Sequence, residues 1–124
     1  MPFNVRVVKA REFVRARPDG RLDLESSRRM LREVAHVAEG LADYGIVIDV
    51  RFADSHLDEI DLWHLASDLA GMQGTFQHPT AVVAAPGRFD YAKFFSLSAQ
   101  NRGLNLKAFK TYDEAIDWLH GFDG

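Results

Sequence analysis

The stretch Gly20-Arg21-Leu22-Asp23 decides the fold, because the pattern of apolar residues changes on either side of it. Before it, Val5-Arg6-Val7-Val8 and Phe13-Val14-Arg15-Ala16-Arg17 are rich in β-branched residues and roughly alternate, which predicts two short strands. Pro18-Asp19-Gly20 then forms a strong turn signal. We therefore predict that the two strands pair as an antiparallel hairpin and that a helix opens after the turn.

The residues that follow support this helix and place a strand behind it. Apolar side chains recur at steps of three and four, as one buried helix face requires, at Met30, Leu31, Val34, Val37, Ala38 and Leu41. Gly40 or Gly45 is the expected end of the helix. Ile46-Val47-Ile48 is apolar without alternation, which is typical of a central strand covered by helices on both faces.

The same alternation of helix and strand continues along the chain. Ser55 and Asp58 stand three apart, as in a capping box, and predict that the next helix starts at Ser55. The buried face of that helix is predicted to consist of Leu62, Leu65, Ala66 and Leu69. Gly71 and Gly74 then release the chain into a loop.

Two strands and two helices complete the pattern. Residues 80–85 predict a buried strand, and residues 90–101 predict a helix that Gly103 ends in a left-handed conformation. Residues 104–109 predict the last strand. Thr111 and Glu114 form a capping box for a terminal helix through Ala115, Ile116 and Leu119.

The predicted order of elements is therefore ββαβαβαβα. Strands that alternate with helices pair in parallel through right-handed crossovers, whereas the hairpin contributes an antiparallel strand. The fold class is α/β, with a mixed, mostly parallel sheet of about five strands flanked by four helices. At 124 residues the chain is long enough to bury its own core, and we predict a single domain over residues 1–124.

Composition sets outer bounds on function. The chain has no cysteine, which excludes disulfides, thiolate zinc sites and cysteine nucleophiles. A formal net charge of −3 argues against general binding to nucleic acid, and we interpret the basic cluster Arg28, Arg29 and Arg32 as a solvated helix face.

No stretch approaches the roughly 20 apolar residues that span a bilayer, and the N-terminus lacks the apolar run of a signal peptide. We expect a soluble, cytoplasmic protein.

Residues 13–50 run in the order hairpin, glycine-any-leucine-aspartate, helix and apolar strand ending in Asp49, and in that order they resemble the STAS domain, the fold of the anti-sigma-factor antagonists. The C-terminal half resembles the SpoIIAA-like relatives of that domain, whose chains commonly end in an EA-x-x-WL helix. The segments that carry this likeness are 80–85, Asn101-Arg102-Gly103-Leu104, Lys107-Ala108-Phe109 and Glu114-Ala115-Ile116-Asp117-Trp118-Leu119. The resemblance implies a STAS or SpoIIAA-like domain that works by binding.

The resemblance also implies one candidate phosphorylation site. In the anti-sigma-factor antagonists, a partner kinase phosphorylates a serine at the start of the helix that follows the Asp-ended strand. Ser55, after Asp54, is the position to which this role carries over, although His56-Leu57 replaces the serine-glycine of the family. The alternative, which we favour, is an N-cap serine, because the acidic residues of the same turn would repel a phosphate and no counter-charge is visible nearby.

Three aspartates are candidates for a ligand crevice at the strand ends, namely Asp23, Asp49 and Asp54, since open α/β sheets generally bind ligands there. The simpler interpretation makes Asp23 a helix-start residue and Asp49 a strand terminator. Asp54, His56 and Asp58 occupy alternate positions of one turn, where three ligands rarely converge, so we predict no metal site. No Gly-rich phosphate loop is present either, and we predict no cofactor.

An aromatic cluster is the remaining candidate site. One helix cannot turn all of its aromatic side chains toward the sheet, because Tyr91 and Phe95 share a face whereas Phe94 lies about 100° away. Trp63 is likewise off the apolar stripe of its own helix. We predict a partner interface or an apolar pocket formed by Trp63, Phe89, Tyr91, Phe94 and Phe95, with Met72 as a further pocket residue.

These residues support three functional hypotheses. The leading one is a non-enzymatic regulatory or scaffold module that binds another protein or itself as a homodimer, with a possible switch at Ser55. The alternative is a binding or carrier domain for a small apolar or lipid-like ligand, a role that the likeness of SpoIIAA-like proteins to lipid-binding α/β domains supports. An enzyme using Asp23, Asp49 and His56 for acid–base chemistry is the least favoured, because neither substrate nor geometry can be assigned.

Overall fold

A computed structural model describes residues 3–8 and 13–121 of the chain. Its strands are β1 (Phe3–Val8), β2 (Phe13–Pro18), β3 (Gly20–Leu22), β4 (Gly45–Asp49), β5 (Ala53–Ser55), β6 (Thr80–Val83) and β7 (Leu106–Phe109). Its helices are α1 (Leu24–Ala38), α2 (Glu59–Ala70), α3 (Gln73–Phe76), α4 (Phe89–Gln100) and α5 (Tyr112–His120), and a single 3₁₀ turn at Pro86–Arg88 precedes α4.

The main sheet has five strands in the order β1-β2-β4-β6-β7. β1 and β2 pair antiparallel, with Phe3 opposite Pro18 and Val8 opposite Phe13, which confirms the predicted hairpin. The residues that join these two strands lie outside the described ranges. β2, β4, β6 and β7 are parallel to one another, so the mixed, mostly parallel α/β sheet is confirmed.

Two layers of apolar side chains cover the sheet. Alternation along β4 sends Ile46 and Ile48 into the larger layer, where α1, α2 and α4 pack, and sends Val47 into a smaller layer with α5. The predicted apolar stripe of α2 is fully buried in the larger layer, and so is most of the α1 stripe. The three crossover helices α1, α2 and α4 therefore lie on one face, and among the described helices only α5 covers the other.

A second, two-stranded sheet is an element that the sequence did not predict. β3 pairs in parallel with β5, so that Gly20 lies opposite Ala53 and Leu22 opposite Ser55. The prediction that a helix starts at Ser55 is therefore wrong, because Ser55 ends a strand. Each strand has only three residues, too few for an alternating pattern to be recognised.

Asp58 takes the capping role that the sequence assigned to Ser55. Its carboxylate accepts a hydrogen bond from the Asp61 backbone N–H at 2.9 Å, and the Asp61 carboxylate accepts one from the Asp58 N–H at 3.2 Å. Aspartate caps a helix as well as serine does, and the strand pairing of Ser55 decides between the two. α2 consequently begins at Glu59.

Two smaller predictions also need correction. The predicted loop at Gly71 and Gly74 contains the short helix α3, which ends at the fully buried ring of Phe76. The box at the start of α5 is only half formed. Thr111 Oγ1 accepts from the Glu114 N–H at 3.2 Å, but the Glu114 carboxylate bonds to the Thr111 hydroxyl instead of the Thr111 backbone.

Glycine ends two of the helices as predicted. Gly40 follows α1 with φ +87°, and Gly103 follows α4 with φ +85°, both in the left-handed region. A Cβ at Gly103 would meet nothing within 4 Å, so only the backbone conformation disfavours a side chain there.

Gly103→Ala should therefore lower the free energy of unfolding by about 1 kcal/mol, because the left-handed conformation is strained for a residue with a Cβ atom. Gly74→Ala is the matched control. It also has open space around its Cβ, but its φ lies outside the left-handed region and it stands in a helix, so this change should be neutral or stabilising by up to about 1 kcal/mol. Urea unfolding of both variants measures the difference. Equal effects would contradict the assignment of Gly103.

Candidate functional site

The carboxyl edge of the sheet carries a buried charge at the end of β4. The Asp49 side chain is 0% exposed, and it accepts hydrogen bonds from Arg17 Nε at 3.0 Å and from Arg51 Nε and Nη2 at 2.9 and 2.8 Å. The Arg51 backbone N–H donates to the same carboxylate at 3.2 Å. Two guanidinium groups and one backbone amide thus compensate this carboxylate.

These contacts set the ionisation of the cluster. Burial alone would raise the pKa of Asp49, but the hydrogen bonds and charges of Arg51 and Arg17 outweigh burial and hold that pKa below its ordinary value. The Asp49 carboxylate in turn raises the pKa of Arg51. Phe52 and Tyr112 lie within 6 Å of both guanidinium groups, in cation–π contact. The cluster faces the side of the sheet that α5 covers.

The opposite side of the same edge contains a cavity of about 90 Å³. It lies among α1, α2, α4 and the ends of β4 and β6. Its buried lining is almost entirely apolar and consists of Leu22, Ser27, Met30, Leu31, Ile48, Leu57, Leu62, Leu65, Val82, Ala84, Ala92 and Phe95. The lining residues that keep some exposure mark its mouth and are Val50, Arg51, Ala53, Ser55, Ala85, Arg88 and Tyr91.

Arg88 organises the mouth of this cavity. Its Nη2 donates to Ser55 Oγ at 3.0 Å and to the Leu57 carbonyl at 2.6 Å, which ties the 3₁₀ turn after β6 to the segment after β5. The guanidinium also lies 4.0 Å from the centre of the Tyr91 ring. Ser55 therefore does have a cationic neighbour, contrary to the sequence interpretation, but one that is 33 positions away in the chain.

Ser27 is the polar member of the buried lining. It is 2% exposed, and among the residues that the structure describes its Oγ has no hydrogen-bond partner. A buried hydroxyl without a partner costs about 1–3 kcal/mol relative to one that is hydrogen-bonded. Ser27 thus adds a polar residue to an otherwise apolar buried lining.

The three aspartates proposed for one crevice do not come together. Asp23 caps α1, accepting from the Ser26 N–H at 2.9 Å, and that hydrogen bond is the main reason that its pKa is lowered. Asp54 is exposed and contacts His56 at 3.0 Å. Asp49 faces the α5 side, away from the cavity. Within the described ranges, no three His, Asp or Glu side chains are placed to hold a metal ion.

The predicted aromatic cluster is divided as well. Tyr91 and Phe95 both line the cavity, as their shared helix face predicted. Phe89 and Phe94 are half-buried outside it, and Phe94 packs against the core together with Met72. Trp63 is 50% exposed on α2, with Arg102 over its ring at 5.0 Å. This cavity thus takes two of the five predicted aromatic residues, and the alternative of a partner interface stays a prediction.

The comparisons with known proteins concern the fold. Neither protein-family models nor curated proteins give a match. Among solved structures, the chain is similar to an uncharacterized protein of the DUF3478 family from Shewanella loihica PV-4, with a TM-score of 0.62, 16% sequence identity and coverage of 95% of this chain and 94% of that one. That protein is described as having a SpoIIAA-like fold. The fold of this protein is SpoIIAA-like.

The SpoIIAA-like fold is the one that the sequence resemblance implied, and at this identity the comparison shows the fold alone. The helices within the described residues are all too short or too polar to cross a bilayer. The candidate site is therefore identified by the cavity and by the contacts of Arg88 at the carboxyl edge of the sheet.

Sequence reasoning missed Ser27, Arg88, Arg17 and Arg51, although the first two carried a signal. Ser27 stands three, four and seven positions before Met30, Leu31 and Val34, which places it on the buried face of α1. Arg88 follows the strand-ending Pro86-Gly87 and so reaches the carboxyl edge of the sheet. Arg17 could be paired with Asp49 only once the parallel register of β2 and β4 was known.

Replacing Asp49 by Asn keeps the shape of the side chain but leaves Arg17 and Arg51 without their counter-charge. Breaking a buried pair typically costs 3–5 kcal/mol, and we expect about 2–3 kcal/mol at pH 7 because both arginines are partly exposed. Asp117→Asn, an exposed aspartate on α5, is the control and should change stability by less than about 0.5 kcal/mol.

The effect of Asp49→Asn should also depend on pH. Since the pKa of Asp49 is lower in the folded than in the unfolded protein, its stabilisation is complete above about pH 5 and is lost as the pH falls through the folded-state value. The stability difference between wild type and Asp49→Asn should therefore shrink between about pH 5 and pH 2, as measured by urea unfolding. A difference that stays constant over this range would contradict the ionic account.

Proposed function

We propose that this protein is a non-enzymatic binding module whose cavity between α1, α2 and α4 takes a small apolar ligand. The observation that carries this proposal is a cavity of about 90 Å³ with a buried apolar wall and a polar mouth. Specific sites for small molecules typically combine an apolar lining with a few placed polar groups. The location at the carboxyl ends of β4 and β6 is also where open α/β sheets generally bind ligands.

The volume limits the size of the ligand. Binding sites for drug-sized molecules occupy roughly 300–1,000 Å³, and an apolar cavity of about 150 Å³ holds benzene. By proportion, this cavity takes about four carbon-sized atoms, and the rest of a longer ligand would lie at the mouth. The proposal therefore concerns a short chain or the end of a longer one.

The geometry favours binding over catalysis. Of the groups considered for acid–base chemistry, Asp23 caps α1, Asp49 is held by two arginines on the other face, and His56 contacts Asp54 at the surface. Each of these three side chains is thus engaged by a different partner. A cytoplasmic location, as expected from the sequence, is part of the proposal.

Binding of 1-hexanol tests the cavity directly. The alcohol should shift the amide resonances of residues that line the cavity in ¹H–¹⁵N spectra, and Ala53→Leu, which adds volume at the mouth, should weaken binding by about tenfold or more. Ala70→Leu is the matched control, because Ala70 is also a half-buried alanine but does not line the cavity. Absence of any shift at the cavity residues in the wild-type protein would refute the proposal.

Protein binding or self-association is the second candidate function. The specific observation in its favour is the solvent face of α2, where Ile60 is 69% exposed and Trp63 is 50% exposed at a spacing of three. Apolar side chains that share an exposed helix face often belong to an interface, and tryptophan is enriched among residues that dominate binding energy. Phosphorylation of Ser55 would belong to this function, and Arg88 would supply the counter-charge.

Trp63→Ser tests this second function. If the exposed face of α2 is a homodimer interface, sedimentation should show a dimer for wild type and at least a tenfold weaker self-association for Trp63→Ser. Leu97→Ser, an exposed apolar residue on α4, is the control and should leave the dimer intact if α2 alone forms the interface. A wild-type protein that remains monomeric at high concentration would exclude self-association through this face.

A further inference from the structure

The hydrogen bonds of Arg88 leave part of its guanidinium unused. Both bonds that it donates within the protein come from Nη2, one to Ser55 and one to the Leu57 carbonyl. Within residues 3–8 and 13–121, the N–H groups on Nε and Nη1 have no protein acceptor. The two bonds from Nη2 hold the Arg88 side chain in place, and its remaining N–H groups can donate hydrogen bonds to a ligand at the mouth of the cavity.

The charge of Arg88 is also uncompensated. None of the ion pairs formed by the described residues includes Arg88, whereas Arg17 and Arg51 share Asp49, and Arg28 pairs with Asp68 at 2.6 Å. The nearby Asp58 carboxylate is engaged at the start of α2, and Asp54 contacts His56. A half-buried guanidinium beside apolar surface favours a negatively charged partner.

Ser27 is a second polar residue of the same cavity. It belongs to the buried lining, and its hydroxyl has no partner among the described residues. The rest of the buried lining is apolar, so the groups that can recognise a charge lie at the mouth, where Arg88 is.

We propose that the ligand is a short-chain monocarboxylate, with its hydrocarbon chain in the cavity and its carboxylate on Arg88. This inference rests on the proposed function of the cavity and specifies the chemistry of its ligand. Of the two arginines at the mouth, Arg51 already contacts the Asp49 carboxylate, whereas Arg88 pairs with no carboxylate of the described residues and is matched by one negative charge. A phosphate monoester would bring nearly two charges close to the acidic segment that contains Asp54 and Asp58, which favours the carboxylate.

Four probes with the same six-carbon chain test this proposal at about pH 7, where a carboxylate is ionised. They are hexanoate, 1-hexanol, hexylammonium and hexyl phosphate, each titrated into the full-length protein and followed by the amide shifts of cavity residues. Hexanoate should bind about tenfold or more tightly than 1-hexanol, because a charge-assisted hydrogen bond is roughly twice as strong as a neutral one. Hexylammonium and hexyl phosphate should bind more weakly than hexanoate.

Three variants identify the group that recognises the carboxylate. Arg88→Gln should remove the preference for hexanoate over 1-hexanol. Ser55→Asp places a carboxylate beside the Arg88 guanidinium within the protein, and it should also remove the preference, which keeps the test valid if Arg88→Gln fails to fold. Arg32→Gln removes one positive charge from the exposed face of α1 and should leave hexanoate binding unchanged.

The outcomes separate this inference from the proposed function. If hexanoate and 1-hexanol bind the cavity equally well, or if either hexylammonium or hexyl phosphate binds best, the monocarboxylate proposal is overturned and the apolar cavity remains a binding site. If none of the four probes shifts the cavity residues, both proposals fail. A preference for hexanoate that survives both Arg88→Gln and Ser55→Asp would also overturn the assignment to Arg88.

Discussion

The buried carboxylate of Asp49 is the charge around which the carboxyl edge of the sheet is arranged. It fixes Arg17 on β2, and through the backbone and side chain of Arg51 it fixes the turn that follows β4. That turn directs the chain into β5, which pairs with β3. Ser55 and Leu57 then lie where Arg88 can bond to both. The mouth of the cavity thus depends on an ion pair located on the opposite face of the sheet.

The distribution of the helices explains why a cavity forms beside this edge. Three crossover helices share one face of the sheet, and their small and aliphatic side chains meet above the ends of β4 and β6. Ala84 and Ala92 leave space there that larger side chains would fill. The helix α5 covers the other face, with Tyr112 close to the Asp49 cluster. One edge of the sheet therefore has a charged side and an apolar side.

The sequence predicted elements with long apolar periodicity and failed where tertiary contacts decide the local structure. The stripe from Met30 to Ala38 and the apolar run at Ile46–Ile48 locate α1 and β4, because a buried helix face or a buried strand gives a recognisable spacing of apolar residues in the sequence. By contrast, Ser55 and Asp58 are both good N-cap residues, and only the pairing of β3 with β5 selects Asp58.

The candidate site was predictable only in part, for the same reason. Tyr91 and Phe95 were assigned correctly to one face of α4 because helix geometry alone decides that relation. The contact between Ser55 and Arg88 joins residues from two different crossovers, and no local pattern reveals it. Asp23, Asp49 and Asp54 each follow or end a strand, which is why the sequence suggested one shared crevice. In the structure each has a different role: Asp23 caps α1, Asp49 forms an ion pair, and Asp54 contacts His56 at the surface.

A crystal structure of the protein grown with hexanoate would test the central claim most directly, which is that the apolar cavity and Arg88 together form a site for a small carboxylate. The account predicts a hydrocarbon chain between α1, α2 and α4, with a carboxylate oxygen within hydrogen-bond distance of Arg88 Nε or Nη1. A cavity that remains empty at saturating hexanoate, or a chain bound with its carboxylate away from Arg88, would contradict it.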